Sequence, residues 1–408
     1  MDILIYIVFI LTYLLISSRR LSLLPIGRPA GALVGAFLMV AIGALTPVES
    51  YASIDYDTIV LLFGTMVLTV YMESAGFFQM LACRVIYFSG TPRRLLMAVS
   101  LVSGFLSALM VNDTVCLFLT PVIISACVNS GLPLGPYLMA LATSANIGSA
   151  ATLVGNPQNM IIGSLSGFSF TEFLFIAGPA SAAGLLINMC LLSLFYNRKL
   201  PAGRLKLQAV SIEYDKGRLT TVIIVTVSVI FGFFAGFHLG FTALAGVVAL
   251  ILIGGKDPRD VFSRIDWALL LFFCCLFIVV AGLAKSGIIE RIWNLSSSHI
   301  SLSRPSGLII FSTIMTLGSN LISNVPMVLM TGPYLEGLGS APLGWVLLAF
   351  ITTVAGNFTL IGSVANIIVA ERARDAYSLG FFEYCRFGAV STILVLFSGV
   401  AVINLIMK

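Results

Sequence analysis

Polar positions are sparse along this chain, and apolar ones run on for lengths that fit a membrane. A helix needs about 20 apolar residues to cross ~30 Å of hydrocarbon. Runs of that order recur at 3 to 17, 30 to 46, 57 to 73, 95 to 129, 136 to 165, 173 to 196, 219 to 236, 239 to 254, 267 to 284, 306 to 334, 343 to 369 and 387 to 407. Four of these are interrupted. The runs at 95 to 129 and 306 to 334 carry polar tips, Asn112-Asp113-Thr114 and Ser323-Asn324, which predict re-entrant helical hairpins that enter and leave on one side. In the run at 136 to 165 Gly148, Gly155 and Pro157 act as breakers among several amides, and in that at 343 to 369 Gly356 and Gly362 do so, which predicts helices unwound at depth. Irregular backbone survives at that depth only where protein covers it or water reaches it.

Composition narrows the class. Of 408 residues, 59% are hydrophobic and 10% charged, with mean hydropathy +1.07, and a soluble domain of that make-up would aggregate. The chain is therefore expected to be an all-α polytopic membrane protein with little left over for a soluble domain. Arg19 and Arg20 follow the first run without a small-residue cleavage site, so that run is read as a retained helix. Lys and Arg gather on the cytoplasmic side. With the amino terminus outside and both hairpins returning to their own side, 18 of the 22 basic residues fall inside, leaving Lys285, Arg291, Arg304 and Lys408 outside. Were each hairpin a single full crossing, the basic stretch from Arg198 to Arg218 would face out. The preferred topology has ten crossings and two hairpins, with both termini outside the plasma (inner) membrane. The net charge of +5 then reflects topology, and no nucleic-acid partner is expected. Glu73 and Lys285, at run ends, read as interfacial anchors.

The pattern also repeats at an offset of about 210 residues. Asp55-Tyr56 and Asp266-Trp267 precede matched runs, with Gly76 and Gly287 following each. "VNDTVCLFLTP" at 111 to 121 aligns with "SNVPMVLMTGP" at 323 to 333, and "TLVGNPQNMII" at 152 to 162 with "TLIGSVANIIV" at 359 to 369. Three matches in one order define a first repeat over 1 to 200, a linker at 201 to 218 and a second repeat over 219 to 408. Five crossings per repeat is an odd number, so the repeats enter the membrane in opposite directions. Inverted repeats are the signature of secondary transporters, whose sites lie near the midplane where the repeats meet.

An unwound helix offers backbone carbonyls from one half and amides from the start of the next, with two helix-end dipoles facing one cavity. Candidate binding residues are Asn112, Asp113 and Thr114 at the first tip, and Asn146, Thr152, Gly155, Asn156 and Asn159 in the first break. The second repeat contributes Ser323 and Asn324 at its tip, and Asn357, Thr359, Gly362, Ser363 and Asn366 in its break. Ser149 and Gln158 lie in the same stretch as the first group. Small polar residues also serve helix packing in membranes; here the breakers and amides recur at matched positions, which favours a binding site. Asp113 is the one carboxylate well inside these runs. An intramembrane ionisable residue is a functional hypothesis by default, although an aspartate there could instead cap the second hairpin helix.

No phosphate loop occurs: "GGKDP" at 254 to 258 lacks its spacing and hydroxyl residue. No HExxH or GxSxG motif is present, and His238 and His299 are placed near the outer surface, so the chain is not expected to be an enzyme. Cys83, Cys116, Cys127, Cys190, Cys274, Cys275 and Cys385 show no metal-type spacing and read as small apolar residues. No cofactor is expected beyond a coupling proton or sodium ion.

The paired tips and the paired "TLVGNPQN" and "TLIGSVAN" breaks resemble the ion transporter superfamily, which includes arsenite permeases, citrate transporters and sodium-coupled dicarboxylate symporters. "NDT" followed by "TSANIGSAATLVGNPQNM" is most similar to the arsenite-permease and related anion-permease branch. The resemblance covers nearly the whole chain. It implies a homodimer in the lipid bilayer, with a scaffold and a mobile domain that carries the site across in an elevator-like motion. The dicarboxylate members carry Ser-Asn-Thr at each tip. Here Val325 follows Ser323-Asn324, and Asp113 follows Asn112, which departs from a two-sodium dicarboxylate site. A dianion also wants cationic partners, and the candidate site holds no Lys, Arg or His while an ionised Asp113 would repel it. A neutral hydroxylated species such as arsenous or silicic acid, or a cation, fits better. The expected function is thus secondary transport of a small ion or oxyacid, by proton-coupled efflux with Asp113 exchanging a proton for substrate. Alternatives are a sodium-coupled anion symporter or a sodium/proton antiporter, with a candidate sodium site at Asn112, Asp113 and Asn156. A channel or membrane scaffold is the remaining non-transporter reading.

Overall fold

The computed structural model describes residues 1 to 21, 27 to 201, 203 to 205, 215 to 255, 257 to 297, 300 to 338 and 340 to 408. Most of the linker, with Lys206, and also Lys256 and His299, lie outside the described residues. Among the described residues the regular structure is all helical. The first half comprises α1 (Asp2–Leu21), α2 (Arg28–Ala41), α3 (Pro47–Ala52), α4 (Tyr56–Ser74), α5 (Phe77–Ser89), α6 (Pro92–Leu109), α7 (Asn112–Ser130), α8 (Leu134–Ser149), α9 (Pro157–Ser166) and α10 (Phe170–Tyr196). The second comprises α11 (Lys216–Phe234), α12 (Leu239–Gly254), α13 (Arg259–Phe262), α14 (Trp267–Lys285), α15 (Ile288–Ser297), α16 (Pro305–Ile322), α17 (Asn324–Thr331), a 3-10 turn (Gly332–Leu338), α18 (Ala341–Ala355), α19 (Val364–Ala373) and α20 (Phe381–Ile406). Eight of these helices are long and apolar enough to cross a membrane.

Helix starts follow local chemistry. Asp55 accepts from the Thr58 amide and Asp266 from the Leu269 amide, satisfying donors that the first turn leaves free. Ser169 and Glu172 form a reciprocal capping box at the head of α10.

Both long runs with polar tips divide there into two helices, α6 and α7 and α16 and α17. The second differs in its returning arm, which is only eight residues of α-helix before the 3-10 turn that contains Pro333. The aligned Pro121 stays inside α7. Both broken helices also appear, unwound over 150 to 156 and 356 to 363. One expected breaker is corrected. Gly148 remains helical, and its missing Cβ serves packing, since a Cβ there would lie 2.0 Å from the Gly104 carbonyl oxygen on α6. Pro157 does not interrupt a helix but starts α9, where its lack of an N–H costs nothing. Helices α5 and α15 were not expected; each begins beside a left-handed glycine, Gly76 at φ 81° and Gly287 at φ 69°, where the chain turns out of the preceding long helix.

Packing across the two halves comes in pairs. Helix α2 packs on α14 as α12 packs on α4, α7 on α19 as α17 on α9, and α10 on α20. Contacts at the helix ends fall into two sets. One joins Arg264 to Glu73, Arg93 to Asn197, and the Tyr137 hydroxyl to the Pro92 carbonyl. The other joins Lys285 to Glu49 at 2.6 Å, His238 to Asp57 at 3.3 Å, and the Ser164 hydroxyl to Asp55 at 2.7 Å. In every case the partners are segments that the count of basic residues assigns to the same side.

Candidate functional site

The two breaks and two tips meet in the interior. Each break is held by one asparagine from the helix that follows it. The Asn159 amide donates to the carbonyls of Ser149, at 3.2 Å, and Thr152, at 2.8 Å. The Asn366 amide donates to those of Gly356, at 2.8 Å, and Thr359, at 3.2 Å. Donor and both acceptors are displaced by the same 207 positions between the two staples. Each break also needs a glycine at one matched point. A Cβ on Gly155 would lie 2.3 Å from the Ser149 oxygen, and one on Gly362 would lie 2.6 Å from Asn320 Oδ1.

Asn146, near the end of α8, joins the halves. Its Nδ2 donates to Asn357, at 2.8 Å, and to Asn366, at 3.0 Å, while its Oδ1 accepts from Asn112, at 2.9 Å, and from the Ser363 hydroxyl, at 3.0 Å. Two donors and two acceptors exhaust what one amide offers. Asn357 in turn donates to the Thr143 carbonyl at 2.9 Å. On the other side of the break, Asn156 caps α9 through the Asn159 backbone N–H at 2.9 Å, and its amide donates to the Ser149 and Thr353 hydroxyls.

Both tips touch their own breaks. The Asn112 backbone N–H donates to the Gly155 carbonyl at 2.9 Å, and the Thr152 hydroxyl to the Ala108 carbonyl at 2.6 Å. In the second repeat Asn320 reaches the Ala355 carbonyl at 2.8 Å and accepts from Thr359 at 3.0 Å. Asn112, Asp113, Thr114 and Asn324 are all buried, whereas Ser323 is exposed. The first break is buried throughout, and the second is half-buried from Phe358 to Ile361.

Asp113 does not cap α7. That helix starts without a side-chain cap, and it packs against α19, with the backbone N–H of Ala365 in the amino-terminal turn lying toward the aspartate. A helix amino terminus carries partial positive charge and accommodates an anion. Thr353 and Asn320 were missed from sequence, although both are polar residues in apolar runs. Asn188 was overlooked for the same reason; it ties α8 to α20 by donating to Thr143 and Ser144 and accepting from Ser391.

Apolar helices around buried, cross-linked amide breaks and one interior carboxylate describe an integral membrane protein built for passage of a small polar solute, that is, a membrane transporter. Residues 7 to 355 match the model of the citrate transporter family. A protein of Dictyostelium discoideum named as the transporter arsB is 32% identical, over 98% of this chain and 92% of its own length. The silicon efflux transporter LSI3 of rice (Oryza sativa subsp. japonica) is 33% identical, over 93% of each. The chain belongs to the citrate transporter family, together with these arsB-like and silicon-efflux relatives. The YdaH transporter of Alcanivorax borkumensis shares the fold, with a TM-score of 0.54, 12% identity, and coverage of 91% of this chain and 88% of that one.

Proposed function

We propose that this transporter is a proton-coupled secondary carrier that exports a small neutral oxyacid of the arsenous or silicic acid type. The observation that carries the reading is the placement of Asp113, a buried carboxylate at the amino end of a helix from the opposite half, one residue from the Asn112 link to Asn146. A proton at that point alters the charge beside the Asn146 junction of the two repeats. Amides and hydroxyls suit a ligand that presents hydroxyl groups, and the silicon-efflux relative points to the same substrate class. The binding set is Asn112, Asp113, Thr114, Thr152, Asn156, Asn159, Ser323, Asn324, Asn357, Thr359, Ser363 and Asn366, with Asn146, whose four bonds are made within the protein, holding them together and Gly155 and Gly362 allowing the close backbone approaches. The paired packing and the matched asparagine staples support two inverted repeats. A buried first break beside a partly exposed second one supports alternating access by an elevator-like movement, in a homodimer with both termini outside.

The citrate transporter name of the family favours a second reading, a sodium-coupled carrier of organic anions with a cation near Asn112, Asp113 and Asn156. Flux of arsenite and silicic acid in proteoliposomes, with sodium or with choline outside, separates the two. Export-type exchange driven by a pH gradient and indifferent to sodium is expected. A strict sodium requirement with citrate or succinate as the moving species would replace this reading with the second.

A further inference from the structure

The two hairpin tips share the spacing Ser-x4-Asn, Ser107 to Asn112 and Ser319 to Asn324, yet they stand in different states. In the first, Val111 has relaxed extended backbone, at φ −60° and ψ 122°, and Asn112 reaches across to Asn146. Ser107, fully buried, is left without a hydrogen-bond partner. In the second, Ser319 donates to Asn324 Oδ1 at 2.5 Å, so that amide is turned back on its own hairpin. Ser323 between them sits at φ 80° and ψ 158°, and it is the one non-glycine residue at positive φ among the described residues. That region of backbone space is essentially reserved for glycine, and a serine stays there only while its surroundings hold it. Ser323 is also exposed where Val111 is fully buried.

We propose that the second tip is a strained latch that opens during transport, with Ser319 as the positioning residue that holds Asn324 in the closed arrangement. The first tip shows the relaxed form available to the same spacing: the backbone extended, the serine released and the asparagine turned off its own hairpin onto Asn146 of the adjoining broken helix. Release of the Ser319 bond lets Ser323 leave its strained conformation, so strain and hydrogen bond oppose each other across a small energy gap. The inference rests on the reading of these tips as the substrate site.

Hydrogen–deuterium exchange of the full-length protein in nanodiscs, followed over residues 316 to 331, tests it. Ser319→Ala removes the latch and should speed exchange about fivefold, the population change that one net hydrogen bond controls. Ser323→Gly relieves the strain of the closed form and should slow exchange, whereas Ser323→Ala, which loses the same hydroxyl but keeps the strain, should follow the wild type. Turnover of arsenite exchange in proteoliposomes should fall further in Ser323→Gly than in Ser323→Ala, which loses the same hydroxyl. Equal exchange in Ser323→Gly and Ser323→Ala, or unaltered exchange in Ser319→Ala, overturns the latch. Absence of flux in every protein, wild type included, overturns the transport reading instead, and the exchange data still decide the latch.

Discussion

At the scale of single residues, the interior is governed by amides whose hydrogen-bonding capacity is filled. Asn146 makes four such bonds, three of them to the opposite half. Removing it strands buried partners that no water can satisfy, so Asn146→Ala should destabilise the protein by about 2 to 4 kcal/mol, read as a lower melting temperature in detergent. A melting temperature within error of the wild type would show that the hub is not a structural join. At the surface, the Lys285 ammonium, with the Thr46 backbone and hydroxyl, holds the Glu49 carboxyl down at about 2, from an ordinary 4.5. Because the folded value is the lower one, this contribution is full above pH about 4.5 and fades as the pH falls toward about 2. The pair is exposed and its effect on stability is small. The difference in melting temperature between wild type and Glu49→Gln should therefore shrink on acidification through that window, and a difference that grows would contradict the assignment.

At the scale of elements, close approach of helices depends on glycines more than on apolar bulk. Gly148 lets α8 lie against α6 at Gly104, so Gly148→Ala should cost about 3 kcal/mol or more by overpacking against backbone. Gly163 in α9, whose Cβ would meet only the flexible Leu153 side chain at 3.3 Å, should accept alanine with little loss. Yield of monodisperse protein from the two variants checks the contrast, and equal yields would refute it. The long helices and their divisions at the tips and breaks were legible in sequence because apolar length and polar interruptions are local signals. Gly148 misled because a glycine that permits packing and one that ends a helix look alike until the partner helix is known. The helices α5 and α15 were not legible, since at 13 and 10 residues they fall short of the run length that marks a crossing.

At the scale of the whole molecule, the candidate site is a product of the fold. Asn357, Ser363 and Asn366, far from Asn146 in sequence, meet it because the halves pack in matched pairs. The individual amides could be read from the sequence, and so could their recurrence, but their mutual contacts could not. The surroundings of Asp113 were the least legible of all, because the amino end of α19 is brought to α7 from the other half. If the amide staples are equivalent, Asn159→Ala and Asn366→Ala should impair transport to a similar degree, measured as initial rates in proteoliposomes; an effect confined to one of them would argue against a site shared by both repeats. The central claim is that Asp113 carries the coupling proton. Substrate-driven proton flux in proteoliposomes, compared between wild type and Asp113→Asn, tests it most directly: the wild type should move protons against substrate and the variant should lose that flux, whereas proton coupling unchanged in Asp113→Asn would contradict the mechanism.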